Sequence, residues 1–410
     1  MNFDLIVIGG GAGGCFAAIR VAELLPGARI CILESARKPL SKVEVSGGGR
    51  CNVTHACFDP EVLAGYYPRG SKELTGPFHR FQPADMMEWL ERHGVRLKTE
   101  EDGRMFPVTD RSQTIIDCFM NAMRKSRIQL MLSTRATGWQ FDGSSKSWYV
   151  TLPDKARLTS KYLMIATGSD QRTWDGLKLA GHSIVSPVPS LFTFNIRVKD
   201  LNALAGISMP DVIASIPALK LQTSGPLLIT HWGFSGPAIL KLSAWGAREL
   251  YACNYVFDAQ INWCRQSEEQ EVIRSIKQTM TRNTKKQVHN LMLFGMPTRL
   301  WKLICLRASL PERLNCSEIS SKQIIALVQI LMRDTYRVTG KSTFKEEFVT
   351  AGGVDLTEVN MSTFESKKWP GLFFSGEVLN IDALTGGFNF QAAWTGGAIA
   401  AEEIAERLKA

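Results

Sequence analysis

Six residues near the amino end, Gly9-Gly10-Gly11-Ala12-Gly13-Gly14, follow the pattern G-x-G-x-x-G, with Gly9, Gly11 and Gly14 at its fixed positions. The chemistry open to such a stretch is the holding of a pyrophosphate. Gly9 permits a tight turn, Gly11 lets phosphates approach the backbone and Gly14 lets a helix pack close to a strand, with the diphosphate at the helix N-terminus and Ala12 and Gly13 among the expected contacts. A carboxylate follows 20 residues after Gly14, at Glu34. It is placed to accept hydrogen bonds from ribose hydroxyls and disfavours a 2′-phosphate, so the dinucleotide at this site is FAD or NAD and not NADP.

The elements that must position these residues are legible around them. Asp4-Leu5-Ile6-Val7-Ile8 is a continuous apolar run, as expected of a strand buried on both faces of a parallel sheet. It runs through the glycines into an apolar helix from Cys15. Pro26-Gly27 ends that helix, and Arg29-Ile30-Cys31-Ile32-Leu33 supplies a second strand that delivers Glu34, completing a βαβ unit. Tyr162-Leu163-Met164-Ile165-Ala166-Thr167-Gly168 is a further buried strand ending in Thr167 and Gly168. Gly371-Leu372-Phe373-Phe374-Ser375-Gly376-Glu377 is another, ending in Gly376 and Glu377. Three such markers in this order favour FAD over NAD. No second G-x-G-x-x-G appears, so NADPH or NADH either visits the flavin transiently or is replaced by a substrate that reduces the flavin itself.

The expected architecture is therefore α/β, a Rossmann-like FAD-binding domain built from both ends of the chain and interrupted. Its first part spans 1–187 and its second 342–410. Short strands with Pro and Gly punctuation suggest a β-rich substrate domain over 188–263. Helical periodicity at Glu271 to Val288 and Lys322 to Arg333 suggests a small basic helical domain over 264–341. Trp139 to Leu152 reads as a hairpin, Ser46 to Asn52 as a glycine-rich loop, and Trp394 to Leu408 as a closing helix.

Composition sets outer bounds. The 410 residues are 45% apolar and 21% charged, an ordinary globular mix that leaves little room for disorder. The opening apolar run is too short for a signal peptide and no span of ~20 apolar residues follows, so a cytoplasmic protein with no membrane contact is expected. Nine scattered cysteines, none in a Cys-x-x-Cys pair, point to reduced thiols and to no metal site. Cys51 and Cys57 are the closest pair, but five residues and a nearby Pro60 disfavour the helical redox disulfide of flavin disulfide reductases. The net charge of +9 is concentrated: between Cys264 and Lys341 there are 14 Lys/Arg against 6 Asp/Glu. Such a segment either neutralises nucleic acid phosphates or is a solvated helical face.

Several longer motifs complete the pattern: Lys42-Val43, Ser46-Gly47-Gly48-Gly49-Arg50-Cys51-Asn52-Val53-Thr54, Thr230-His231-Trp232-Gly233-Phe234-Ser235-Gly236-Pro237-Ala238, Gly352-Gly353-Val354, Glu365-Ser366-Lys367 and Gly386-Gly387-Phe388-Asn389-Phe390-Gln391. Together they resemble the BaiN/RdsA-type (YhiN-like) flavoproteins over most of the chain. The resemblance implies a glutathione-reductase-like FAD domain interrupted by β-rich and helical domains. The family's activities are dihydrouridine synthesis in ribosomal RNA, reduction of enone double bonds in bile acids, and oxidation of a small aminoketone. After Gly168 the chain departs from the family, having Ser169-Asp170-Gln171-Arg172-Thr173-Trp174 in place of a longer segment opening with a second Gly. His55 stands where Asn often follows the Thr.

The resemblance adds Lys42, Gly47, Gly48, Arg50, Cys51, Asn52, Gly387, Phe388, Asn389 and Phe390 to the expected FAD contacts, with Asn389 and Gln391 in a loop entering the closing helix. Arg50 is suited to place a cation by the flavin's N1–C2=O edge, where it would stabilise the reduced anion; the alternative is a surface salt bridge. Cys51 is either a proton donor to a carbon receiving hydride or a packed thiol. His231 either lies near the substrate or caps the β-rich domain. Three functions are open: NAD(P)H-dependent reduction of an activated C=C bond, uridine in ribosomal RNA being favoured; a small-metabolite oxidase or reductase; and a flavin-containing RNA-binding factor without turnover. In the first, Lys285, Lys286, Arg299 and Lys302 face the RNA.

Overall fold

In the computed structural model, which describes residues 2–342 and 349–410, five parallel strands among these residues run side by side in a nine-stranded sheet of the first unit. Their order is Leu372–Phe374, Arg157–Ile165, Asn2–Ile8, Ile30–Leu33, Gln129–Met131. The middle strands are apolar because they are buried on both faces, Ile30–Leu33 at every residue, which removes any reason for alternation. Register levels their carboxyl ends: Ile8 stands opposite both Ile165 and Leu33, and Phe374 opposite Ile165. Gly9, Glu34, Ala166 and Ser375 therefore leave the sheet at one height, along the edge where open α/β sheets bind ligands. The hairpin pairs Gly138–Asp142 with Ser147–Thr151 and joins the sheet through Arg157–Ile165.

The first helix, Ala12–Leu24, packs against the closing helix, Phe388–Lys409. Small residues allow the close crossing: a Cβ on Gly397 would stand 2.9 Å from the Gly13 carbonyl oxygen. Around the crossing Phe16 meets Trp89 edge-on at 5.1 Å and Trp394 at 5.6 Å, and these rings are fully buried. The closing helix starts at Phe388, six residues before the expected Trp394, so Asn389 and Gln391 lie in its first turn and not in a loop. Ser41–Gly49 likewise begins as a helix, because Val43 is buried and anchors it. Only at Ser46 does the backbone leave helical angles, and Gly47 and Gly48 then take φ of 57° and 69°, the left-handed region open to glycine.

Chain contacts divide the protein into Met1–Val188 with Lys345–Ala410, and Pro189–Phe344. The second unit is a closed six-stranded antiparallel barrel in the order Thr193–Ile196, Gly233–Ser235, Leu221–Thr230, Ser208–Ile216, Val256–Asn262, Asp334–Ser342. Its last strand comes from the segment read as wholly helical. The helices Glu269–Arg282, Thr298–Arg307 and Ser321–Arg333 do form. Their buried Val272, Ile276, Trp301 and Leu327 share one apolar core with barrel residues Phe194, Val212, Ile229 and Val338, so barrel and helices make one body. Asp334 is fully buried at the start of the closing strand, accepting hydrogen bonds from Arg307, Tyr336 and Trp263. Among the described residues no helix is long and apolar enough to cross a membrane.

Two histidines of the first unit give it an acid-sensitive stability. Burial lowers the pKa of His55 and of His182 below the ordinary 6.5. The unfolded chain therefore takes up these protons before the folded one does. Their contribution is complete above about pH 6.5 and is lost as pH falls below it. The melting temperature is expected to drop between about pH 7 and pH 5.5, above the carboxylate range, and His55→Gln with His182→Gln is expected to flatten that drop. A wild-type melting temperature constant across this interval would contradict the assignment.

Candidate functional site

Three of the motif glycines are required by the protein's own packing. Gly9 has φ of 107°, and a Cβ there would stand 2.4 Å from the Ala166 carbonyl oxygen. A Cβ on Gly14 would meet the Gly9 carbonyl oxygen at 2.2 Å, and one on Gly13 the Ser375 hydroxyl at 2.3 Å. Gly11 is different: the nearest atom to its Cβ position is the Ala166 oxygen at 3.9 Å. Its freedom from a side chain is used by nothing in the polypeptide, which fits the close approach of a ligand. Gly11 is also the N-cap of the first helix, with no side-chain cap and no acidic residue in the first turn, so the helix presents its N–H groups unoccupied by side chains.

Glu34 is oriented by two backbone donors. Its Oε2 accepts from the Gly10 N–H at 2.8 Å and its Oε1 from the Ala36 N–H at 2.7 Å. The carboxylate is thereby held beside the glycine turn with lone pairs left for ribose hydroxyls. Thr167, at the end of the neighbouring strand, has a buried hydroxyl with no hydrogen-bond partner among the described residues. A buried hydroxyl of this kind is costly unless something else supplies the partner. Gly11's open side, the uncapped helix, the held carboxylate and the orphaned hydroxyl together fit the adenosine diphosphate half of FAD.

The residues expected at the other half divide into two groups. Lys42 forms an ion pair with Glu377, and Gly168, with φ of 63°, places its Cβ position 3.7 Å from the Glu377 carboxylate. Gly376, with φ of 76°, makes the turn before it. These four converge. The two glycine-rich motifs, in contrast, are stitched chiefly to each other. The Asn52 side chain donates to the carbonyls of Met105 and Thr54 and accepts from the Gly387 N–H at 3.0 Å. Thr54 Oγ1 donates to Gln391 Oε1 at 2.6 Å, Gln391 donates to Thr395 at 3.1 Å, and Trp394 donates to the Val53 carbonyl at 3.0 Å. Asn389 is engaged by both backbone groups of Ala383. Asn389 and Gln391 thus act by positioning the helix entrance. Phe388 stacks on Tyr66 at 4.2 Å and on His55 at 4.6 Å, while Phe390 stacks on Trp394 at 5.7 Å.

The three catalytic candidates fare differently. Cys51 is completely buried, and burial pushes its thiol up to about 12, so it is protonated at any working pH. No thiolate or disulfide chemistry follows, and all nine cysteines are free. A side chain with no exposed surface favours the packed-thiol reading over proton donation to a substrate. Arg50 pairs with Glu100 at 2.7 Å and lies 4.0 Å over the Phe106 ring, with Asp110 at 3.6 Å, so its charge is already matched. His231 is exposed on the turn between two barrel strands and belongs to the second unit, whereas the other candidates belong to the first.

The packing roles of Ser375, Tyr67 and His55 are not marked by any sequence pattern. Ser375 donates to the Ala393 carbonyl at 3.0 Å and fills the space Gly13 vacates. Tyr67 donates to the Phe388 carbonyl at 2.6 Å, and His55 packs against Gly386 and Phe388. Tyr67 and Phe388 are 321 residues apart, and no local pattern marks such a pair.

The HI0933-like protein Rossmann domain matches residues 3–403, nearly the whole chain. The chain belongs to the HI0933-like family. It is an FAD-dependent oxidoreductase with an FAD-binding Rossmann fold. Among curated relatives of this HI0933-like protein, the ribosomal RNA dihydrouridine synthase of Escherichia coli K12 is 26% identical, with 98% of each chain covered. The 3-dehydro-bile acid delta(4,6)-reductase of Clostridium scindens is 23% identical, again with 98% of each covered. Among solved structures, the 3-ketosteroid-delta4-(5alpha)-dehydrogenase of Rhodococcus jostii RHA1 shares the fold, with a TM-score of 0.54 at 11% identity over 98% of this chain and 97% of that one.

Proposed function

We propose that this HI0933-like enzyme reduces the uracil C=C bond of uridine in ribosomal RNA to dihydrouridine, with NADPH or NADH as the reductant. Bound FAD supplies the two-electron relay between the nicotinamide and the activated double bond. The observation that carries the reading is the end-to-end match to a ribosomal RNA dihydrouridine synthase, without insertion or loss of a domain. The surface chemistry agrees with it: Lys285, Lys286, Arg299 and Lys302 are all exposed. In this reading Gly9 to Gly14, Glu34 and Thr167 hold the adenosine end of FAD. Lys42, Gly168, Gly376 and Glu377 border the flavin end, and Asn52, Thr54 and Gln391 fix the helix entrance there.

A second reading, reduction of a small enone, has support in the bile acid reductase relative. One experiment separates the two. The holoenzyme is reduced anaerobically with NADPH or NADH, and reoxidation of the visible flavin band is followed with and without unmodified ribosomal RNA. Reoxidation that depends on RNA, with dihydrouridine in the product, is the expected result. Reoxidation indifferent to RNA but driven by a small enone would move the assignment to the second reading, and failure of both nicotinamides to reduce the flavin would remove both.

A further inference from the structure

The charge of the second unit is sorted by position. Of the cations between 264 and 341, Arg265, Arg307, Arg333 and Arg337 are ion-paired with Asp211, Asp334, Glu269 and Asp258. Arg274, Lys277, Arg282, Lys285, Lys286 and Arg313 are exposed and have no carboxylate partner among the described residues. The fold gathers them. Val272, Ile276 and Met280 bury one side of the helix Glu269–Arg282, which turns Arg274, Lys277 and Arg282 to the opposite, solvent side. Its acidic residues, Glu269 and Glu271, are confined to the first turn. Beyond the helix, the segment carrying Lys285 and Lys286 pairs with the one following Arg313. Cys316 donates to the Lys286 carbonyl at 2.9 Å, Val288 to the Leu314 carbonyl at 2.9 Å, and Ser317 to the Thr284 carbonyl at 3.3 Å. Arg313 is thereby drawn to the same end of the row.

A basic residue at a helix C-terminus is favoured by the helix dipole. That accounts for Arg282 and for none of the others. Six unpaired cations on one surface repel each other, and a polyanion relieves the repulsion. At about 1.5 Å of rise per residue, Arg274 to Arg282 covers about 12 Å, and the lysine loop extends the row further, long enough to meet more than one phosphate of a strand.

We propose that this row is a phosphate-tracking surface that grips the backbone of the RNA substrate without reading its sequence. The proposal rests on the RNA reading above and adds Arg274, Lys277, Arg282 and Arg313 to the contact surface. The test is the salt dependence of binding. Anisotropy of a labelled, unmodified ribosomal RNA fragment is measured on holoenzyme between about 50 and 200 mM salt, where each phosphate contact adds about 0.7 to 0.9 to the slope of log K against log salt. The variants are Lys277→Glu/Arg282→Glu/Lys285→Glu and the milder Lys285→Ala/Lys286→Ala, each checked for its flavin band. The triple reversal of the exposed Lys72, Lys146 and Lys155 in the first unit is the control. The expected result is a slope reduced by about two to three units in the reversal variant and by one to two in the alanine variant, with the control unchanged. Wild-type slopes in both variants would overturn the surface and leave the RNA reading standing. A wild-type enzyme that binds no RNA would overturn both.

Discussion

Gly11→Val is expected to give a folded protein that purifies without flavin, whereas Gly14→Val is expected to fail to fold. Both positions belong to one motif, and inspection of the sequence alone ranks them equally. The geometry separates them. At Gly14 a Cβ would overlap the Gly9 carbonyl oxygen at 2.2 Å, a backbone atom that moves only if the strand or helix moves with it. Overpacking against such a neighbour costs about 3 kcal/mol or more. At Gly11 the Cβ position is open and φ is −82°, a value any residue adopts, so the apoprotein tolerates the branch. What it obstructs is the approach of the pyrophosphate to the helix N-terminus. A loss of FAD affinity of about 100-fold or more is expected, about 3 kcal/mol. The checks are the flavin-to-protein absorbance ratio and the melting temperature of each apoprotein. A Gly11→Val protein that retains wild-type FAD affinity would place the dinucleotide elsewhere.

This contrast marks the limit of what the sequence discloses. The strand, glycine turn, helix and second strand delivering Glu34 are contiguous, and apolar runs with glycine punctuation report them faithfully. The strands ending in Thr167 and Gly376 are legible for the same reason. Where an element's boundary depends on distant partners, the pattern misleads. Gly386-Gly387-Phe388 has loop composition, yet Gly387 is the left-handed N-cap of the closing helix, held by Asn52 from across the chain. The strand Asp334–Ser342 alternates as a barrel strand should, but it begins on the residue after the helix Ser321–Arg333. With no turn residues between them, helical periodicity runs straight into it.

The site residues show the same division. The geometry of Gly11 and Glu34 is local, set by the glycine turn and the strand that follows it, and so is legible from residue type and spacing. Arg50, Cys51, Asn389 and Gln391 carry chemically suggestive side chains, and their surroundings decide what those side chains do. Arg50 is matched by Glu100, Cys51 has no exposed surface, and Asn389 and Gln391 spend their hydrogen bonds inside the protein. Motif specificity in these loops thus reports a need for mutual fit between residues 46–54 and 386–391 more than a row of direct ligands.

That fit is open to measurement at Gln391, which is completely buried. Gln391→Leu keeps the volume and removes both hydrogen bonds, leaving the Thr54 hydroxyl without its acceptor and Thr395 without its donor. Each buried group so stranded costs about 1–3 kcal/mol, giving about 2–6 kcal/mol in all and a fall in melting temperature of roughly 4–24 °C for a unit of this size. Because the network fixes the entrance of the closing helix, FAD affinity is expected to fall with stability. The response to added FAD then distinguishes this variant from Gly11→Val. A ligand at about 100 times its dissociation constant returns about 2.7 kcal/mol, a clear rise in the melting temperature of Gln391→Leu. In Gly11→Val the apoprotein is stable and added FAD raises its melting temperature little, since the ligand cannot dock. If FAD fails to stabilise Gln391→Leu while the wild type responds, the helix entrance is itself a flavin contact; if the variant melts like the wild type, Thr54 and Gln391 are not coupled and the two motifs are held together by the Asn52 and Trp394 bonds alone.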